Sequence, residues 1–222
     1  MRRQDAHVMN GPANATSGQA DIDWTGSGFP AVIQEITFDG GNWNDVNNPG
    51  VPIEVHHHGR MVSWTGESIN RVVDGQAYHY PAIVPEPQPH VTAGWMRMGA
   101  PGAGRQLDIP DPRTLLSVLQ PSAGFTAAGY TTVDGAQLED LRATTPGAVS
   151  LTPLNDVIQS EPDNAQASAL DLWIDPAGVV QKAVITVTGT DGHGIPQSVT
   201  VTVTFSQIGQ PQTITPPAAS IR

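Results

Sequence analysis

A chain of 222 residues with 38% hydrophobic and 14% charged residues can bury a real core, and its polar remainder is mostly Gly, Pro, Thr, Ser, Asn and Gln, the residues of turns and strands. A net charge of −11, with Lys182 the sole lysine, excludes the basic stripe that nucleic acid requires. The absence of cysteine excludes disulfides, thiolate metal sites and thiol nucleophiles.

No apolar run approaches the roughly 20 residues of a membrane-spanning helix, and Met1-Arg2-Arg3-Gln4 does not lead into an apolar leader segment. The chain therefore reads either as cytoplasmic or as a soluble fragment of a longer exported or membrane-anchored protein. In the second case any membrane association runs through a region missing from this chain.

Residues 1–20 show no period and read as a flexible N-terminal segment. Ala31 to Phe38 follows as a strand, with Val32, Ile36 and Phe38 on one face. Asp39-Gly40-Gly41 is a turn and 42–50 an Asn-rich loop. In 51–62, Ile53 and Val55 alternate with Glu54, His56 and His58. Arg71-Val72-Val73, Asp74-Gly75 and Gln76 to Tyr80 spell a hairpin, because Asp-Gly between apolar runs suits a tight reversal. The Pro-rich 82–90 is a loop or an edge, and Trp95 to Met98 a short strand.

The clearest helix signal comes next. Asp111 suits an N-cap and Pro112 the first helical position; Leu115, Leu116, Val118 and Leu119 form the apolar stripe, and Pro121 ends it. Phe125 to Val133, Asp134-Gly135 and Ala136 to Ala143 form another hairpin. Residues 153–160 predict a second short helix, and 163–168 a link to the last meander. That meander runs Leu170 to Ile174, Asp175-Pro176-Ala177-Gly178, Val179 to Thr188, a loop over 189–196, Ser198 to Phe205, and a last strand over Gln212-Thr213-Ile214. From 199 to 205, Val and Phe alternate strictly with Thr, so Val199, Val201, Val203 and Phe205 share one face.

The fold class that follows is mainly β (α+β): a curved antiparallel sheet of eight to eleven strands, with short helices covering its concave face. A sheet of that width curls, and two short helices fill such a bowl poorly, leaving a ligand cavity.

Several segments, in order, are similar to the LolA-like lipoprotein-carrier superfamily, nearest to its LppX/LprG branch from high-G+C bacteria. They are Arg71-Val72-Val73-Asp74-Gly75-Gln76-Ala77-Tyr78, Trp95, Asp111-Pro112-Arg113-Thr114-Leu115-Leu116, Gly129 to Gly135, Leu172-Trp173-Ile174-Asp175 and the closing stretch from Phe205 to Pro216. The resemblance covers about residues 70–217 and rests on the order of these motifs. It departs in lacking the lipobox cysteine and in matching poorly before residue 30. It implies a half-barrel closed by helices around a hydrophobic cavity, in one domain over 21–217 with a short tail at 218–222. It also implies an extracytoplasmic, cell-envelope location and a lipid or lipoprotein acyl chain as ligand. Some relatives are outer parts of membrane-anchored, anti-sigma-like regulators, so a sensor domain that binds a regulatory protein is the alternative. The resemblance carries over no catalytic residue and no cofactor.

Facing and spacing nominate Val72, Trp95, Leu115, Leu116, Leu119, Leu172, Ile174, Val201 and Val203 as cavity lining. Other polar features take blander readings. Glu54, His56 and His58 share a strand face that could hold zinc or copper, but neighbouring histidines on one strand do not converge unaided, and a solvated face is preferred. His79, His90 and His193 lie near turns and read as surface groups. Asp39 to Asp45 lacks the closing glutamate of a calcium loop. Nothing brings Asp21, Asp23, Glu139 and Asp140 together as a glycosidase pair. The five tryptophans suit a sheet core better than a sugar platform. No nucleophile elbow, P-loop or dinucleotide fingerprint occurs. The expectation is a protein that is not an enzyme.

Overall fold

The computed structural model describes residues 17–26, 32–38, 53–61, 64–80, 94–99, 124–133, 135–146, 163–177, 179–191 and 193–218. These form eleven strands: β1 (Gly18–Gly26), β2 (Val32–Phe38), β3 (Ile53–Met61), β4 (Trp64–Val73), β5 (Gln76–Tyr80), β6 (Met96–Gly99), β7 (Phe125–Val133), β8 (Ala136–Ala143), β9 (Asp163–Ile174), β10 (Val180–Thr190) and β11 (Pro196–Ser206). All belong to one sheet in the order β6-β5-β4-β3-β2-β1-β11-β10-β9-β8-β7, and every neighbouring pair is antiparallel. Each strand thus lies beside its sequence neighbour except at two places. The first strand pairs with the last, and β6 and β7 do not pair, so they form the two edges of an unclosed sheet.

Local chemistry explains the hairpins. Asp74 and Gly75 both adopt positive φ, 51° and 69°, the two left-handed residues of a type I′ turn whose twist matches its strands. At the β9–β10 turn, Asp175 Oδ1 accepts the N–H groups of Ala177 and Val179, each at 2.9 Å. Asp191 repeats the device at the β10–β11 turn, where its Oδ1 accepts the N–H groups of His193 at 2.8 Å and Ile195 at 2.9 Å. In both turns an aspartate at the strand end satisfies backbone donors that the ladder leaves unpaired.

The expected period-two face is present. Val199, Val201, Val203 and Phe205 are all buried, and the threonines between them are half-exposed. The register carries that face across the sheet. Val203 lies opposite Ile22 of β1 and Ala183 of β10, and Ala183 lies opposite Leu172 of β9. Ile22, Leu172 and Val203 are completely buried. This side is the core face; the other is the outer face.

Three sequence expectations need correction or fall elsewhere. Residues 163–168 are no linker but the first half of β9; the small and polar residues Ala165, Gln166, Ala167 and Ser168 concealed a strand that includes a bulge. Gln212-Thr213-Ile214 is not a strand. Pro211, Pro216 and Pro217 cannot donate to a ladder, and Gln212 Nε2 instead donates to Gln207 Oε1 and Gln210 O. Both predicted helices, near 111–121 and 153–160, lie outside the described residues, among which there is no α-helix. At the N-terminus, β1 begins at Gly18 and Ser17 is buried, with its carbonyl accepting Gly209 N–H at 2.8 Å.

Candidate functional site

The core face is the candidate site, and its charge pattern sets it apart. In β1–β6, β10 and β11 every charged position falls on the outer face: Asp21, Asp23, Glu35, Glu54, Arg60, Glu67, Arg71, Arg97 and Lys182. Asp171 of β9 does the same, opposite Val184. Glu139 of β8, opposite Ile174, is the charged core-face exception. Alternation makes this separation possible, because adjacent residues point to opposite sides. The result is an uncharged surface crossing most of the sheet.

The structure brings together five of the nine proposed lining residues on that face. Val72, Leu172, Val201 and Val203 have no measurable exposure and Ile174 is 8% exposed. Val203 and Leu172 lie in one register row. Val72 is four strand spacings from Val203, which is roughly 19 Å along a flat sheet at the usual inter-strand distance. Leu115, Leu116 and Leu119 lie outside the described residues, in the connection between Gly99 and Phe125 that joins the two edge strands.

Trp95 is set apart from these five. Its ring lies 4.8 Å from the Arg71 guanidinium and 5.7 Å from the Tyr80 ring. Arg71 precedes Val72 and pairs with Tyr78, while Tyr80 pairs with Ile69, so all belong to the outer face. There Arg71 also forms an ion pair with Glu54 and donates from Nη1 to Thr215 O at 2.8 Å. The C-terminal segment therefore reaches from Ser17, at the start of β1, to β4 on the outer side, where Pro217 is buried.

Sequence reasoning missed a polar pair on the core face. His79 and Asn70 are opposite each other in the β4–β5 ladder, one step along from buried Val72 and Ala77. His79 Nδ1 and Asn70 Oδ1 are 2.8 Å apart, and both residues are half-buried. His79 is thus no surface group. The signal was present: Asn70 and His79 have the same parity as Val72 and Ala77. His193, by contrast, is exposed at the β10–β11 turn. Glu54, His56 and His58 share outer-face register, as their spacing requires. Among the described residues no group of three or more His, Asp or Glu is arranged to hold a metal.

The sequence matches no known family profile and no curated protein. Solved structures do resemble it. LprF from Mycobacterium bovis superposes with a TM-score of 0.56 at 18% identity, over 96% of each chain. The lipoprotein LppX from Mycobacterium tuberculosis gives 0.47 at 15% identity, over 96% of this chain and 95% of that one. The fold is that of the LprF structure: a mostly antiparallel β architecture with an open sheet.

Proposed function

We propose that this protein is a non-enzymatic carrier that takes an apolar ligand, a lipid or a lipoprotein acyl chain, against the core face of its sheet. One observation carries the reading: an uncharged face that crosses the sheet while the charged residues are sorted to the other side. The described residues form a single sheet of eleven strands, and a twisted sheet of that width curls into a bowl. The connection that carries Leu115, Leu116 and Leu119 joins the two edge strands. The fold likeness to LprF and the motif resemblance to lipoprotein carriers support the same reading, and with it a place in the cell envelope outside the cytoplasm.

The mechanism is burial. An acyl chain leaving water contributes about 0.8 kcal/mol per methylene, so a long chain binds without any ion pair. The nearby outer-face charges keep the loaded and empty forms soluble. Native mass spectrometry after incubation with lipid tests this reading, together with displacement of a fluorescent fatty acid. Retained lipid with dye displacement supports it; neither would end it.

A further inference from the structure

The two edges of the sheet are built differently. β6 has four residues and carries Arg97, whose Nε and Nη2 donate to Gln76 Oε1 at 2.9 and 2.6 Å. Short length and a fixed charge are two of the means by which an edge strand resists pairing with another chain. β7 has neither. It runs nine residues without a charge or a proline. Its seven inner residues are exposed whichever face they belong to, and Tyr130, at 69% exposure, is the most open large hydrophobic side chain among the described residues. The bulge against β8 lies between Ala127 and Gly129, so 129–133 is regular strand.

We propose that β7 is a self-association edge: residues 129–133 of two copies of this chain pair antiparallel about a two-fold axis at Thr131, joining two sheets into one. The inference does not depend on the carrier reading. The outward N–H and C=O groups of an edge strand are ready to pair with a further strand. With the axis at Thr131, that residue lies opposite its own copy, Tyr130 opposite the second copy's Thr132, and Gly129 opposite the second copy's Val133. Tyr130 and Thr132 share the core-face register, opposite Glu139 and Gln137 of β8. The two Tyr130 residues then become diagonal neighbours about 7–8 Å apart, within reach of aromatic side chains. The two Thr131 residues meet on the outer face. Aromatic–β-branched and Thr–Thr pairs are both favourable across antiparallel strands.

Charge and symmetry favour a second copy over a foreign strand. A chain of net charge −11 repels its own copy, so a contact between copies needs a neutral patch, and β7 is one. Glu139, Asp140 and Arg142 stand one strand behind it, on β8. Across the joint the two β8 strands are three spacings apart, about 14 Å, beyond the screening length of about 8 Å. A foreign strand added to an edge is selected through pockets for its alternate side chains, and the exposed Ala, Gly and Thr positions of β7 are too small to frame them. A two-fold pairing needs no pocket, because symmetry makes the strand its own complement. A ladder of five residues is roughly 16 Å long. It buries less than the roughly 1,200 Å² of a stable interface, so the dimer is weak.

Sedimentation equilibrium of the full chain, from about 10 μM to about 1 mM, tests the inference. A reversible dimer is expected, and added salt should strengthen it by screening the net repulsion. Thr131→Lys sets two like charges face to face at the axis and is expected to weaken the dimer by about tenfold or more. The chain has no cysteine, so one introduced thiol reports the register. Thr131→Cys is expected to give a disulfide-linked dimer, because directly opposed strand positions lie within the Cα spacing of a disulfide. Thr126→Cys is not, since its two copies are roughly 33 Å apart in this register. A chain that stays monomeric at about 1 mM overturns the inference, as does a dimer that Thr131→Lys leaves intact. A monomer whose 129–133 amides gain protection from hydrogen exchange only with an added synthetic Thr-Val repeat peptide gives the edge to a foreign strand and overturns it too. Thr131 is exposed; should a variant not fold, the wild-type concentration and salt series still decide.

Discussion

The Arg71 guanidinium lies 4.8 Å from the centroid of the Trp95 ring, and that contact places Trp95 behind the sheet, on the side opposite Val72. Arg71 meets Glu54, Trp95 and the Thr215 carbonyl from one half-buried position. It therefore joins β3, β4, the start of β6 and the C-terminal segment. Replacing it by Ala breaks all three contacts and leaves Glu54 without this cation. The expected cost is about 1–3 kcal/mol, read as a lower urea midpoint. Cleavage within 211–218 by a non-specific protease should also accelerate. Arg71→Lys keeps the charge but loses the planar fork and the ring contact, and should recover only part. An unchanged midpoint in Arg71→Ala would remove this hub from the account.

Gly26 tests the seam where the ends of the chain meet. A Cβ built there falls 2.3 Å from Ser198 O and 3.0 Å from Val199 Cα, both backbone atoms of β11. Backbone held in a ladder cannot swing aside like a side-chain tip. Gly26→Ala should lower stability by about 1–3 kcal/mol through strain between β1 and β11. A neutral or stabilising result would show that the seam gives way easily.

The two aspartate turns offer an additivity test. Asp175 and Asp191 each accept two backbone N–H groups, at opposite ends of β10. Each Asp→Ala change should cost about 1–2 kcal/mol. The turns are roughly 35 Å apart along an eleven-residue strand, so the double variant should match the sum within about 0.5 kcal/mol. Strong non-additivity in urea unfolding would mean that β10 transmits strain from one turn to the other.

Asp21 provides a pH signature. Partial desolvation, and then the Glu35 carboxylate beside it, hold the Asp21 carboxyl above its usual range. The folded chain then binds this proton more readily than the unfolded chain. Stability from this group is greatest at acid pH and falls as pH rises through the raised value. Asp21→Asn should therefore raise stability near neutral pH, by no more than about 0.5 kcal/mol for so exposed a position, read as a slightly higher thermal midpoint. The gain should vanish below the ordinary carboxylate range. A variant that is less stable at neutral pH would reverse the sign and defeat the assignment.

Val203 separates a roomy bowl from a filled core. It is fully buried on the core face of β11, which lies beside the central strand β1. In a close-packed interior Val203→Phe overpacks and costs about 1–3 kcal/mol. The carrier reading expects it to be tolerated within about 0.5 kcal/mol and to lower the amount of lipid retained. A large stability loss with unchanged lipid retention would favour a filled core.

The hairpins and the period-two strands of the C-terminal meander were legible in the order of residues, because both are local. Asp-Gly supplies left-handed backbone between two apolar runs, and Val-Thr alternation needs no distant partner to set its faces. The sequence also held the alternation of Ala20, Ile22 and Trp24 with Gln19, Asp21 and Asp23, which is only three apolar positions long and is flanked by Gly18 and Gly26. Strands β3 and β4 gave no clean hydrophobic alternation, because polar His57, Ser68 and Asn70 occupy their core-face register. What the tertiary structure decided was the pairing of β1 with β11, the separation of Trp95 from the core face, and the meeting of Asn70 with His79. Such contacts are set by which strand lies beside which, and the free energy that selects them belongs to the whole sheet rather than to any segment.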